Sequence, residues 1–189
     1  MNEKFNIAVK GHLKCQDIDT GEVIINKYNA IHPQNMALII ARALSRDENG
    51  GIFKLCFGNG GTFFNSSNQI VYRPPNTTGA ATLYNETYFV QVDDQSVGTP
   101  PTNSVVSSPS PDPAITSVIT ITAQLNANEP AGQAAADNIT TNPDAPYVFD
   151  EIGLKSFDDL LLTHIIFSPY EKTANRAFLF TYTLTISVS

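Results

Sequence analysis

The chain has 189 residues, 42% of them apolar and 15% charged, with 11 basic against 18 acidic side chains and a net charge of −7. That length suits one domain, residues 1–189, with a substantial core, and the acidic balance argues against direct binding of nucleic acid or an anionic membrane. No apolar run approaches the roughly 20 residues that cross a bilayer as a helix.

The opening "MNEKFNIAVKGHLKC" lacks the order of a secretory signal, so synthesis in a cytoplasm is expected. Phe5, Ile7, Val9, Leu13 and Cys15 share one parity there, and Asn6, Lys10, His12 and Lys14 the other. This period of two predicts a half-buried strand. Asp19, Thr20 and Gly21 supply turn chemistry, and "EVIINKY" reads as the returning strand of a hairpin. "HPQNMALIIARALSR" is the one helical pattern, with Pro33 in the first turn and a predicted apolar stripe of Met36, Ile39, Ile40, Ala43 and Leu44. Arg42 and Arg46 fall near its C-terminal end, where cations suit the dipole. "IFKLCF" begins another strand, the stretch from Asn65 to Pro75 reads as irregular, and "TLYNETYFVQV" is a strand with Tyr84, Tyr88, Val90 and Val92 on one face.

A Pro/Ser-rich loop is expected over 93–114 and a second polar loop over 127–145. Between them "ITSVITITAQL" alternates through Ile115, Ile119, Ile121, Ala123 and Leu125. "YVFDEIGL" follows, then "DLLLTHIIF", which is apolar on both parities and therefore a central strand covered on both sides. "AFLFTYTLTISVS" is the clearest strand, with Phe178, Phe180, Tyr182, Leu184, Ile186 and Val188 on one side. Short strands without a βαβ rhythm predict a mainly β protein: an antiparallel β-sandwich, jelly-roll or Ig-like, with one short helix and two long loops.

"KLCFGNGGTFF" is glycine-rich, but it lacks the lysine and the following helix of a phosphate loop, and Phe63 stands where a dinucleotide fingerprint needs its last glycine. It reads as a turn in which Asn59, Gly60 and Gly61 supply positive φ. His12 and Cys15 have metal-pair spacing yet point to opposite faces of a strand. Asp150 and Glu151 are the most suggestive carboxylates; as strand neighbours they face opposite ways, and Glu151 is expected in a structural ion pair with Arg73, Lys155 or Arg176. No nucleophile elbow or zinc set is present in the sequence, Cys15 and Cys56 read as reduced core thiols, and no catalytic residue, cofactor or metal is assigned.

Three stretches carry a resemblance: "NAIHPQNMALIIARAL", "FGNGGT" with "YRPPNTTGAATLYNETY", and "FDEIGLKS" followed by "LLLTHIIFSPYEKTANRAFLFTYTLTIS". Together they resemble virion structural proteins of tailed bacteriophages, contractile-tailed ones especially. Glu151, Gly153 and Leu154 match that family's E-x-G-L strand, and Phe167, Ser168, Pro169, Lys172 and Thr173 its following element. The resemblance implies a non-enzymatic virion component that self-associates and contacts other virion proteins, at the neck or collar, with head decoration and baseplate as alternatives. Expected interface residues are Tyr72, Arg73, Pro74 and Pro75, then Pro100, Pro101, Pro109 and Pro111, and then Asn128, Glu129 and Pro130. A carbohydrate-binding adhesion module is the rival reading, and it would expose Tyr84, Tyr88 and Asp93.

Overall fold

The computed structural model describes residues 6–92, 103–109, 116–131 and 147–189. Their strands are β1 (Ile7–Asp17), β2 (Val23–Tyr28), β3 (Ala30–Ile31), β4 (Ile52–Gly58), β5 (Thr62–Phe64), β6 (Ile70–Tyr72), β7 (Glu86–Gln91), β8 (Ser104–Pro109), β9 (Thr116–Leu125), β10 (Val148–Ser156), β11 (Leu161–Glu171) and β12 (Phe178–Val188). One α-helix, α1 (Pro33–Ser45), lies between β3 and β4. The first sheet runs β2-β1-β12-β9-β8 and the second β3-β11-β10-β4-β7, with every pairing antiparallel. The molecule is a β-sandwich, as its alternating sequence predicts.

The sheets bury their facing parities against each other. Leu13 and Cys15 of β1, Ile121 and Leu125 of β9, and Phe178, Phe180, Tyr182 and Leu184 of β12 belong to one core. It also takes in Leu55 and Phe57 of β4, Ile152 and Leu154 of β10, and Ile165 and Phe167 of β11. The Phe57 ring sits 5.0 Å from those of both Phe149 and Phe180, at the spacing aromatic pairs favour. β12 lies at the centre of its sheet, paired with β1 on one side and β9 on the other. Its ladder is thus filled on both sides; among the described residues the edges of this sheet are β2 and β8. In the second sheet β10 is central, and all nine of its residues are buried because both of its faces are covered.

Several local expectations are revised. The Pro/Ser-rich stretch 93–114 contains β8, which pairs with β9 along "SVVSSP"; an edge strand tolerates the terminal Pro109, whose missing N–H withdraws only one outer bond. "TFF" and "IVY" form a two-stranded ribbon, β5–β6, whose second strand lies within the Asn65–Pro75 stretch expected to be irregular. In α1 only Asn35, Met36 and Ile39 are buried, while Ala43 and Leu44 are exposed. Only the first turns of the helix lie against β11, and its far end is held by the Arg42–Asp158 ion pair at 2.7 Å. Arg46 serves as the left-handed C-cap at φ 60°.

Candidate functional site

The glycine turn after β4 is a cradle for carboxylates of its own chain. Gly61 N–H donates to Asp150 Oδ1 at 2.8 Å, and Thr62 N–H to Asp150 Oδ2 at 2.7 Å, with the Thr62 hydroxyl adding a third bond to Oδ2. Gly60 N–H donates to Glu151 Oε1 at 3.1 Å. The turn residues do not adopt positive φ, since the only glycines that do are Gly21 and Gly79 among the described residues. Glycine serves close approach instead: a Cβ on Gly58 would stand 2.4 Å from Asn85 O and 2.6 Å from Glu151 Oε1.

Asp150 and Glu151 therefore reach consecutive amides of one turn, although strand neighbours ordinarily diverge. The cause lies in the register. Phe149 pairs with Tyr170 and Glu151 with Ile166, so β11 carries extra residues opposite Asp150 and the ladder is bulged there. Beside this bulge the Gly58–Gly61 turn wraps the end of β10. Both carboxylates are fully buried, so desolvation raises each, and the outcome differs with the donors. For Asp150 desolvation prevails over the Thr62 and Gly61 hydrogen bonds and the carboxyl is held above its ordinary value. For Glu151 the bonds from His164, Asn85 and Tyr84 outweigh desolvation and hold it below.

Glu151 is the hub of a strap formed by residues 73–85, which crosses the outer face of the second sheet. Its Oε1 accepts from Asn85 N–H at 2.8 Å as well as from Gly60; its Oε2 accepts from Tyr84 N–H and from His164 Nε2, each at 2.9 Å. His164, on β11, accepts Asn76 N–H at Nδ1 at 2.8 Å, so its one ring hydrogen sits on Nε2 and points at Glu151. His32 repeats the arrangement. Its Nδ1 caps α1 by accepting Asn35 N–H at 3.2 Å, and its Nε2–H donates to Gly79 O at 3.1 Å. Leu83 of the strap fills the space above Gly153, where a Cβ would meet Leu83 Cδ2 at 3.1 Å, and packs with Cys56 and Leu161.

The expected ion partners of Glu151 are thereby replaced. Lys155 pairs with Glu86 at 2.6 Å, and Arg176 pairs with Asp17 at 2.5 Å and Glu22 at 2.9 Å. Arg73 lies over the rings of Phe63 and Tyr84, at 5.4 Å and 5.0 Å from their centroids. A backbone-rich pocket satisfies a buried carboxylate without a cation, which residue spacing does not reveal. Cys15 lies between the sheets and Cys56 under the strap; both are free, and burial pushes both thiols up. Among the described residues no three His, Cys, Asp or Glu side chains are grouped as a metal site, and no helix is long and apolar enough to cross a membrane.

The expected interface residues divide. Tyr72 ends β6 with half its surface exposed, Arg73 and Pro75 are exposed, and Pro74 O accepts the Tyr84 hydroxyl at 2.8 Å. On β5–β6 the register sets Phe64 beside Ile70 and Thr62 beside Tyr72, so Phe64, Ile70 and Tyr72 share one outward face, with Lys27 Nζ 5.9 Å from the Tyr72 ring centre. Asn128 is exposed in a left-handed conformation, φ 65°, but Pro130 is buried within its own chain. Pro130 is thus removed from the interface set: the turn after β9 folds inward, Asn128 N–H donating to Ala174 O. Pro100, Pro101 and Pro111 lie outside the described residues, as does the side chain of Pro109. Tyr88 packs against the core between the sheets and Tyr84 belongs to the strap, while Asp93 is outside the described residues. His32 and His164, which both hold the strap, share no local motif in the sequence. The signal available for them is their polarity inside apolar surroundings, which obliges each ring nitrogen to find a partner.

Comparisons with described protein families, with curated proteins and with solved structures each return no match to this chain.

Proposed function

We propose that this protein is a non-enzymatic structural component of a tailed-phage particle, working through contacts with copies of itself and with other virion proteins. One observation carries the reading: the buried carboxylates and histidine beside the glycine turn are spent on holding a surface in place. Asp150 and Glu151 are surrounded by amides of their own chain, and both ring nitrogens of His164 are engaged, one by Glu151 and one by Asn76. What they hold is the strap and the turn leading into β5–β6, whose face of Phe64, Ile70 and Tyr72 points outward. Rigid exposed apolar clusters suit docking. The sequence resemblance supports the same reading, and placement at the neck or collar rests on that resemblance alone.

The test is to locate the chain in an intact particle by electron microscopy with an antibody fragment against it. Labelling at the neck supports the full reading, and labelling of head or baseplate supports only the assembly role. A chain missing from purified particles, or turnover of a small substrate by the isolated protein, overturns it.

A further inference from the structure

We propose that Lys172 and Asn126 are the partners of an intramolecular isopeptide bond, made with Glu129 as the proton carrier and tying one sheet of the sandwich to the other. The inference is independent of the assembly reading.

Asn126 follows the last residue of β9 in the first sheet, and Lys172 follows the last residue of β11 in the second. A bond between them closes one end of the sandwich. Lys172 is fully buried, its Nζ donates to Asn126 O at 2.8 Å, and the amine lies 5.7 Å from the Phe178 ring centre. Desolvation is the dominant influence on this amine and brings it down to about 8, with Glu129 pulling the other way. A buried lysine of this kind has a sizeable neutral fraction and is a competent nucleophile.

The groups that the reaction needs surround the Asn126 carboxamide. Gln124 Nε2 donates to Asn126 Oδ1 at 2.7 Å, which polarises the carbonyl and would stabilise the oxyanion that forms there. Asn126 Nδ2, the leaving nitrogen, donates to Glu129 Oε2 at 3.1 Å. The same oxygen accepts Asn126 N–H at 2.9 Å, and Glu129 N–H closes the turn on Asn126 O at 3.1 Å. Carboxylate and carboxamide are thus held together by the backbone. Lys172 in turn is held by its own N–H, which donates to Tyr147 O at 2.9 Å.

In the step, the neutral Nζ adds to Cγ of Asn126 and the carbonyl electron pair moves onto Oδ1. Glu129 takes a proton from the attacking nitrogen and delivers it to Nδ2. The Cγ–Nδ2 bond breaks, ammonia leaves, and a secondary amide remains; no oxidant or further reactant is needed. The movement required is rotation of the exposed Asn126 side chain toward the amine held on its backbone carbonyl, with the long side chains of Gln124 and Glu129 following the carboxamide.

The test is the intact mass of the purified full chain after incubation in the folded state. The expected mass is about 17 Da below that of the sequence, for loss of ammonia. Proteolysis should then give one branched peptide joining the segments that contain Asn126 and Lys172. Lys172→Arg and Glu129→Gln, each confirmed as folded by circular dichroism, should keep the full mass. A succinimide at Asn126 would lose the same mass, but without a branched peptide and equally in Lys172→Arg; that result overturns the proposal. So does a wild-type chain that stays at full mass, and a Glu129→Gln chain that links as fast as wild type removes Glu129 from its role.

Discussion

Glu151→Gln is the most direct probe of the strap. The two oxygens of Glu151 accept two donors each: Gly60 and Asn85 on Oε1, and Tyr84 and His164 on Oε2. Glutamine keeps one oxygen and turns the other into an NH2 group. In either orientation two N–H donors then face a donor. His164 cannot adapt, because moving its hydrogen to Nδ1 would set it against Asn76 N–H. Two buried donors left without partners cost about 1–3 kcal/mol each, so the variant should lose about 2–6 kcal/mol. Against a typical total of about 5–15 kcal/mol this is a large share. The loss is capped by the cost of letting the strap lift, because lifting returns its amides to water.

The expected result therefore has two parts. Urea denaturation should give a reduced stability, and hydrogen exchange should show lost protection at Gly60, Asn76, Tyr84 and Asn85 ahead of β10 and β12. Acid titration supplies the sign. Glu151 is held below its ordinary value of 4.5, so its contribution is complete above that value and fades as pH falls through the folded one. The variant should lack that acid-side fall. Asp150, held above its ordinary value, works in the opposite direction, its ionisation opposing the fold as pH rises. A Glu151→Gln chain within about 0.5 kcal/mol of wild type, the scatter of surface changes, with the four amides still protected, would refute the clasp.

Other outcomes follow from the same geometry. Gly58→Ala places a Cβ 2.4 Å from Asn85 O, a backbone atom, and should destabilise by about 1–3 kcal/mol as overpacking does, read by thermal melting. Leu83→Ala empties the space over Gly153 and Cys56 and should cost about 2–5 kcal/mol; the Cys56 thiol should then react with a maleimide faster than Cys15. The carboxyl of Asp17 is brought down to about 2 by bonds from Thr20 and Arg176 that outweigh its desolvation, so Arg176→Met should remove stability present above pH 3.8 and lost toward pH 2, followed by circular dichroism. Phe64→Ser with Tyr72→Ser should lower self-association in sedimentation velocity while shifting the melting temperature little, because both side chains are already half exposed.

The strands were readable where one face is core and the other is not. β1, β9 and β12 alternate cleanly because each contributes one parity to the space between the sheets. β11 is readable for the opposite reason, its apolar run on both parities matching cover on both faces. β8 was hidden because Ser and Pro at an edge carry almost no periodic signal, and β5–β6 because its apolar side chains face outward rather than into the core. Asp150 and Glu151 stood out as residues worth attention, but their arrangement depends on the register shift between Phe149 and Glu151. A bulge is a property of two paired strands, and neither strand's sequence specifies it alone. The strap was beyond reach for a related reason: its polar partners come from the N-cap of α1, β10, β11 and the glycine turn, far apart in the chain.

The glycine turn shows how a site of one kind can be given over to another use. Consecutive amides of a tight turn attract anions, whatever the source of the anion. Here the anion is covalently supplied by β10, and supplying it from within has a structural consequence that a bound phosphate would not. A free ligand could leave and release the turn, whereas Asp150 and Glu151 are fixed by a strand buried along its whole length. The turn is therefore tied to the most protected part of the molecule, and so is the ribbon that follows it, since Thr62, the first residue of β5, is itself bonded to Asp150. Phe64, Ile70 and Tyr72 are displayed on a short hairpin that would be marginal alone, anchored at its base by a buried charge. Weakening that anchor should loosen the display before it unfolds the sandwich, which separates an assembly defect from a folding defect in one variant, Thr62→Val. That change deletes the hydroxyl bond to Asp150 and keeps both backbone bonds. Its expected signature is weaker self-association with an unchanged core, and self-association equal to wild type would break the link between the carboxylate cradle and the exposed face.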